Sequence, residues 1–413
     1  MSVYTRKSIP EGSSHAEHWR FREGTVFLNH GSFGACPEPV LRKRESLLRH
    51  IESDPMEFLL SEYQPLLASA IDYLTQFTGA DRNSVVFVEN ATTGINTILR
   101  NLSINPGDNI LVSDQEYFSS MNSLRVNAAK QGASISLIHL PFPVLSEEQI
   151  LTAVADAVTS STKYALIDHI VSSTGMILPL KKIIDLLSEK GIRTIVDGAH
   201  GPGQIPLVLE ELGCLAYVGN CHKWLCSPRS SAILYVNPAY QDDFLPLVIS
   251  HYPSEFDSDL SDLQIYFRWN GTPDPTPVLS VPGTIEFMKG LHSQGWPGVM
   301  KSNRDKALEA RKLICSALEV EPPCPESMVG SMAAIPLDGY NPATSRLPDK
   351  LDPLQNLLKR EKGIVVPVTE ILNGTQWMVR ISAQLYNSPE EYEYLADALV
   401  EQRNHRFRKC IQQ

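Results

Sequence analysis

The sequence predicts an α/β fold, in which a large, mostly parallel sheet carries helices on both faces and a smaller C-terminal α+β domain follows. Three observations predict it. Short β-rich runs alternate with segments whose apolar residues recur three and four apart, the pattern of βαβ units. The first of these runs, 85–89 (VVFVE), is nearly all apolar, as a strand covered on both faces must be. The length of 413 residues, with 43% hydrophobic and 20% charged residues, suits two or three domains with a sizeable core and excludes a wholly disordered chain.

Residues 1–55 read as a segment lying across both domains. The large domain, 56–284, contains seven expected strands: 85–89, 109–113, 134–140, 164–170, 193–197, 215–219 and 231–236. Between them, 147–158 and 180–190 carry helical spacing. The acidic run 254–262 and the turn-rich run 270–277 (NGTPDPTP) read as loops near the end of this domain. A helical pattern then runs from Pro282 into the 310s. The small domain, 285–413, shows strand patterns at 332–335, 363–367 and 377–381 and a closing helix at 389–403. No internal repeat is present.

Lys and Arg number 36 against 47 Asp and Glu, a net charge of −11 with no long basic stretch. Nucleic acid and anionic membrane are therefore not expected partners. No run reaches the ~18 apolar residues of a membrane span, and the N-terminus lacks an apolar signal segment. The seven cysteines are an odd number without CxxC spacing, which fits reduced thiols in a cytoplasmic protein; no metal centre is expected.

Chemistry concentrates in four segments, each at an expected strand end or within a strand. Asn90-Ala91-Thr92-Thr93-Gly94-Ile95-Asn96 follows the first strand and offers hydroxyls, N–H groups and a helix dipole to an anion; alone it also reads as a helix cap. Asp197-Gly198-Ala199-His200-Gly201-Pro202-Gly203 places an acid at the carboxyl end of a buried strand, where α/β folds bind ligands; alone it also reads as a capped turn. Gly219-Asn220-Cys221-His222-Lys223-Trp224 sets a Lys among apolar residues, a Schiff-base nucleophile if desolvated and otherwise a surface Lys. Trp377-Met378-Val379-Arg380-Ile381-Ser382 places an Arg in an apolar strand, where its partner is a ligand carboxylate or a structural acid. Jointly the four supply an anion cradle, a buried acid, an aldehyde-carrying Lys and a carboxylate clamp. Pyridoxal 5′-phosphate (PLP) with an amino-acid substrate needs that set.

The chain resembles the class V aminotransferase branch of fold-type I PLP enzymes, most nearly the isopenicillin N epimerase-like proteins. The carrying motifs are 28–34 (LNHGSFG), 90–96 (NATTGIN), 196–203 (VDGAHGPG), 217–225 (YVGNCHKWL), 269–275 (WNGTPDP) and 379–382 (VRIS), in the family's order. The resemblance implies that Lys223 carries the cofactor and acts as acid/base at Cα, that Asp197 pairs with the pyridine nitrogen and that His200 lies by the ring oxygen. It implies Thr92, Thr93, Asn220 and His222 at the phosphate, Ser172 beside the cofactor oxygen and Tyr117 stacked on the ring. It implies Arg380 on the substrate carboxylate, Asn29 and His30 lining the substrate side, and a homodimer in which Thr272 reaches the neighbouring subunit's phosphate. Either Tyr117 or His30 is the candidate second proton donor. His169 is read as a core residue.

Two departures bear on the reaction. Cysteine desulfurases carry a sulfur-accepting Cys shortly before the VRIS-like strand, and 363–376 holds none; where they place an Asn, this chain has Ser172. The expected activity is epimerase-like: Cα deprotonation of a small amino-acid-like substrate in specialised metabolism. The alternatives are a C–S or other β-lyase on a thioether amino acid and a cyclase that forms a carbon–carbon bond by Mannich-type attack on an imine. A nucleotide-binding α/β protein without PLP is the alternative of another class; no GxGxxG follows the first strand, and no P-loop Gly-Lys is present.

Overall fold

A computed structural model of the chain describes residues 9–250, 260–342, 352–371 and 374–411. Its strands are β1 (Val26–Phe27), β2 (Val85–Val88), β3 (Asn109–Ser113), β4 (Ser134–Ile138), β5 (Thr162–Asp168), β6 (Arg193–Asp197), β7 (Ala216–Asn220), β8 (Ala232–Val236), β9 (Met332–Pro336), β10 (Ile364–Val365), β11 (Val368–Ile371) and β12 (Gln376–Ser382). The residues fall into two units. The larger comprises Phe33–Ser172 and Ile177–Met300; the smaller comprises the chain up to Ser32, Ser173–Met176 and the chain from Lys301 on.

In the larger unit, seven strands lie in the order β2-β8-β7-β6-β5-β3-β4. Strands β3 to β7 are mutually parallel, and β8 runs antiparallel to both β7 and β2. All seven expected strands are present, within about two residues at their ends. Strands β3, β7 and β8 are buried along their whole length, which is why their sequences show apolar runs rather than alternation. The core joins Ile95 and Ile98 on a helix to Ile110, Leu166, Ile195 and Val218 on four strands. Each such side chain, fully buried, is worth about 1.5–3 kcal/mol in apolar transfer.

The helix Ala91–Asn101 starts where it does because Asn90 caps it, its Oδ1 accepting from the Thr93 N–H at 2.9 Å. Gly94 allows this helix to press on β7: a Cβ there would come within 2.2 Å of Val218 Cγ2. The helical pattern from Pro282 is two helices, Val281–Gly290 and Gly295–Leu318. The sequence reads the domain border at 284/285; in the structure the unit changes at 300/301, inside the second of these helices. The start of that helix packs Trp296 on Phe77 in the larger unit, whereas Ala307, Ile314 and Leu318 join the core of the smaller. The run 270–277 is a loop leading into the short helix Thr276–Leu279. Residues 254–259 of the acidic run lie outside the described residues.

The smaller unit has an antiparallel sheet ordered β11-β12-β9 and a parallel pair β1-β10. The run 363–367 is the short β10, and β11 after it was not anticipated; Pro367 separates the two. Arg380 lies opposite Ala334 in the β12-β9 register. The closing helix is Pro389–Ile411. Among the described residues, no helix is long and apolar enough to cross a membrane.

Candidate active site

Parallel pairing brings the carboxyl ends of β5, β6 and β7 to one edge of the sheet, and register sets Asp168 beside Asp197. Ligands bind at this edge of open α/β sheets. Asp197, 3% exposed, accepts from the Ser120 hydroxyl at 2.7 Å and from the Ala199 N–H at 3.1 Å. Lys223 follows three residues after β7 in a turn, and is 9% exposed. Its Nζ lies 3.2 Å from His200 Nε2. Ser172 Oγ approaches the same Nε2 at 3.4 Å, and the Trp224 indole N–H donates to His200 Nδ1 at 3.3 Å.

The two turns meet because Gly203 has no side chain. Its φ is +84°, and a Cβ there would lie 2.5 Å from the Trp224 carbonyl and the Leu225 nitrogen.

The residues expected at an anion gather around the start of the helix Ala91–Asn101. Asn220, at the end of β7, accepts from the Ala91 N–H at 2.8 Å, and Thr92 Oγ1 lies 3.3 Å from Ser119 Oγ. Thr93 turns its hydroxyl and its N–H to Asn90. His222 Nδ1 lies 3.2 Å from the Ser231 carbonyl, so that nitrogen carries a proton and donates. Burial, with the Lys223 and Arg229 charges, pushes its pKa down to about 4. Tyr117 immediately precedes the helix Phe118–Gln131 and is 47% exposed. Thr272 is exposed in the loop before Thr276–Leu279. His169 is buried against Tyr217, 3.1 Å from its hydroxyl, and burial holds it neutral with a pKa near 4.

Two residues of this cluster escape a reading of the sequence. Glu116 and Asp168 are buried with Asp197, their carboxylate oxygens all within 4.8 Å of one another. Burial first, then the charges of Asp168 and Asp197, raises Glu116 well above the usual carboxylate range; burial first, then the charge of Asp197, raises Asp168. Glu116 Oε2 and Asp168 Oδ2 have no hydrogen-bond partner. The signal for Asp168 was its place: it ends β5 as Asp197 ends β6. Glu116 sits next to Tyr117 and shows no pattern of its own.

In the smaller unit, Leu28 N–H donates to the Val365 carbonyl, and Ser382 N–H donates to the Leu28 carbonyl. These bonds carry Asn29 to β12. Arg380 Nη2 donates to Asn29 Oδ1 at 3.2 Å and to Ser32 Oγ at 3.0 Å, and the residue is 3% exposed. His30, fully buried, sets Nδ1 3.0 Å from the Tyr386 hydroxyl.

The larger unit fits PLP on its own chemistry. Three buried carboxyls, two of them with an orphaned oxygen, suit a protonated ring nitrogen; an amine held beside an imidazole suits an aldehyde; a capped helix start suits a phosphate. The family model for class-V aminotransferases matches residues 35–395. The chain belongs to the class-V aminotransferase family.

This class-V protein is 30% identical to the isopenicillin N epimerase of Streptomyces clavuligerus over 388 residues, 91% of this chain and 94% of that one. It is 27% identical over 394 residues to a probable chloroplastic L-cysteine desulfhydrase of Arabidopsis thaliana, 90% of this chain and 82% of the other. Among solved structures, the cystine C–S lyase C-DES with its product cysteine persulfide matches at a TM-score of 0.77 and 17% identity, over 92% of this chain and 98% of that one. A C-DES mutant with glycine covalently linked to its PLP cofactor matches at 0.77 and 16%, over 92% and 97%. The chain is a PLP-dependent enzyme of fold type I.

Proposed function

We propose that this enzyme removes the Cα proton of a small amino acid with Lys223 as its base, and that cleavage of a Cβ–S bond follows, releasing the sulfur as a thiol. The observation that carries the reading is the pairing of Lys223 Nζ with His200 Nε2. Trp224 N–H is only a donor, so His200 Nδ1 accepts; the neutral ring then bears its proton on Nε2 and donates it to Nζ. A lysine accepting that bond is a neutral amine, ready to take a proton. Elimination needs one such base.

The thiols support release of the sulfur. A sulfur-accepting cysteine works as a thiolate. Burial raises the thiol pKa of Cys36, Cys214 and Cys221 to about 12 and of Cys315 to about 11, and lifts Cys226 and Cys324 as well. With no Cys in 363–376, no thiol of that loop stands ready to take the sulfur as a persulfide.

PLP, when bound, supplies the sink for the electrons of the broken Cα–H bond. The remaining roles belong to the chain. Asp197 would pair with the ring nitrogen and keep it protonated. His200 and Ser172 would face the ring oxygen. Thr92, Thr93, Asn220 and His222 would hold the phosphate, with Tyr117 against the ring. Arg380, aimed by Asn29 and Ser32, would take the substrate carboxylate. We further propose a homodimer: Met56, Leu60 and Phe33 are 68, 73 and 70% exposed, apolar surface that a second copy would cover, and the exposed Thr272 would reach across.

Epimerisation is the second reading. It needs a second proton donor, and the half-exposed Tyr117 phenol is one that can exchange its proton with water. His30 is bound to Tyr386 in the smaller unit and stands second.

Proton NMR in D₂O with cysteine, cystine, S-substituted cysteines and short peptides separates the two. Elimination followed by hydrolysis gives a keto acid and ammonia, with hydrogen sulfide from cysteine, a thiol from an S-substituted cysteine and a persulfide from cystine; epimerisation gives the opposite isomer deuterated at Cα. Lys223→Ala is expected to slow Cα–H loss by about 10²–10⁴-fold, the usual worth of a positioned base. Normal exchange in that variant removes Lys223 from the mechanism.

A further inference from the structure

We infer that Trp224 is a positioning residue that locks His200 into the tautomer with its proton on Nε2, and so holds His200 as a hydrogen-bond donor toward the Lys223 nitrogen. The inference rests on the reading of Lys223 as the cofactor-carrying lysine. The observations that carry it are geometric. The indole N–H is 3.3 Å from Nδ1, on the side of the ring away from Lys223 and Ser172, which both approach Nε2. Trp224 is fully buried and cannot swing away. The turn that bears it is pressed on the His200 turn at Gly203, where no Cβ fits.

The chemical consequence follows from donor and acceptor counting. With Trp224 present, a ring proton on Nδ1 would set two donors against each other, so that tautomer is suppressed. Nε2–H then favours a lone pair on whatever it faces: a neutral amine at Lys223 or an ionised oxygen on the cofactor ring. Without the indole N–H, the ring can turn its proton to Nδ1 and present an acceptor to Lys223, which favours a protonated nitrogen there. Lys223, on the turn after β7, and Ser172, after β5, are among the groups that face His200. Lys223 and Ser172 meet Nε2, whereas the indole donor meets Nδ1, and a donor there selects the tautomer.

The test uses the PLP-loaded full chain labelled with ¹⁵N-histidine, with the His200 signals assigned by their loss in His200→Gln. Wild type is expected to show Nε2 protonated and Nδ1 bare; a protonated Nδ1 overturns the inference, and this measurement needs no variant to fold. Trp224→Phe keeps the ring shape and removes the donor. It is expected to raise the midpoint of the visible-absorbance pH titration by about half a unit to one unit, a three- to tenfold change in proton affinity. In a His200→Gln background, the same change is expected to move nothing. An unmoved midpoint in Trp224→Phe, or an equal shift in both backgrounds, means the indole acts through packing and not through His200. Borohydride reduction and peptide mapping test the underlying reading separately: cofactor trapped on a residue other than Lys223 sinks that reading, whatever the tautomer.

Discussion

Glu116→Gln should make the cofactor-free chain less sensitive to alkaline pH. Glu116 is buried within 4.8 Å of Asp168 and Asp197, and its pKa lies well above the ordinary value of 4.5. A raised carboxyl pKa in the folded state means that the protonated form is the one the fold tolerates. Its contribution is complete below the unfolded value, and stability falls as pH rises from there to the folded value. Over that window each retained proton costs about 1.4 kcal/mol per pH unit. The glutamine of the variant keeps the shape and an N–H that can serve Asp168, but has no proton to lose. The slope of unfolding free energy against pH should therefore flatten by about 1.4 kcal/mol per unit above pH ~4.5. Urea denaturation of the stripped chain at four or five pH values from 5 to 8 reads this directly. PLP loading should flatten the wild-type slope as well, because a ring N–H cation beside the cluster offsets the repulsion between the acids. Identical slopes in wild type and Glu116→Gln would show that Glu116 holds no proton in the folded state, and the charge reading of the cluster would be wrong.

Two further predictions follow from single contacts. Arg380→Lys gives up the planar fork that Asn29 and Ser32 aim, so KM for the amino acid should rise roughly ten- to hundredfold, the worth of about 1.5–3 kcal/mol in charged hydrogen bonding, with kcat less affected; steady-state kinetics reads the split, and an unchanged KM would take Arg380 off the substrate carboxylate. Gly94→Ala drives a methyl to 2.2 Å from Val218 Cγ2; overpacking costs about 1–3 kcal/mol and better helix propensity returns about 1, so urea unfolding should show a net loss that Val218→Ala relieves.

Much of the fold was legible because the large unit obeys local rules. Strands buried on both faces, such as β3, β7 and β8, have to be apolar throughout, and their runs stand out between helical segments. Where one or a few residues interrupt a pattern, the division is not legible in the sequence. Pro367 divides β10 from β11, and the turn at 291–294 divides what reads as one helix into two. The unit border at 300/301 lies within a continuous helix, and a helix has no local mark for the point at which its packing partner changes.

Within the candidate site, the sequence by itself was enough to mark Lys223, Asp197, the helix start at Asn90 and Arg380, because each sets a polar group in a stretch that is otherwise apolar or glycine-rich. It also decided that no loop cysteine stands before β12. Tertiary structure decided the rest. Asp168 becomes a member of the acid cluster only because parallel pairing puts it in register with Asp197, and Glu116 only because its loop packs against both. The tautomer of His200 depends on Trp224, twenty-four residues away, meeting it where Gly203 lets two turns touch. Asn29 reaches Arg380 across 351 residues of chain. Residue type and spacing announce which groups can do chemistry. Protonation states and hydrogen-bond partners depend on distances between groups far apart in sequence, and those exist only once the chain is packed.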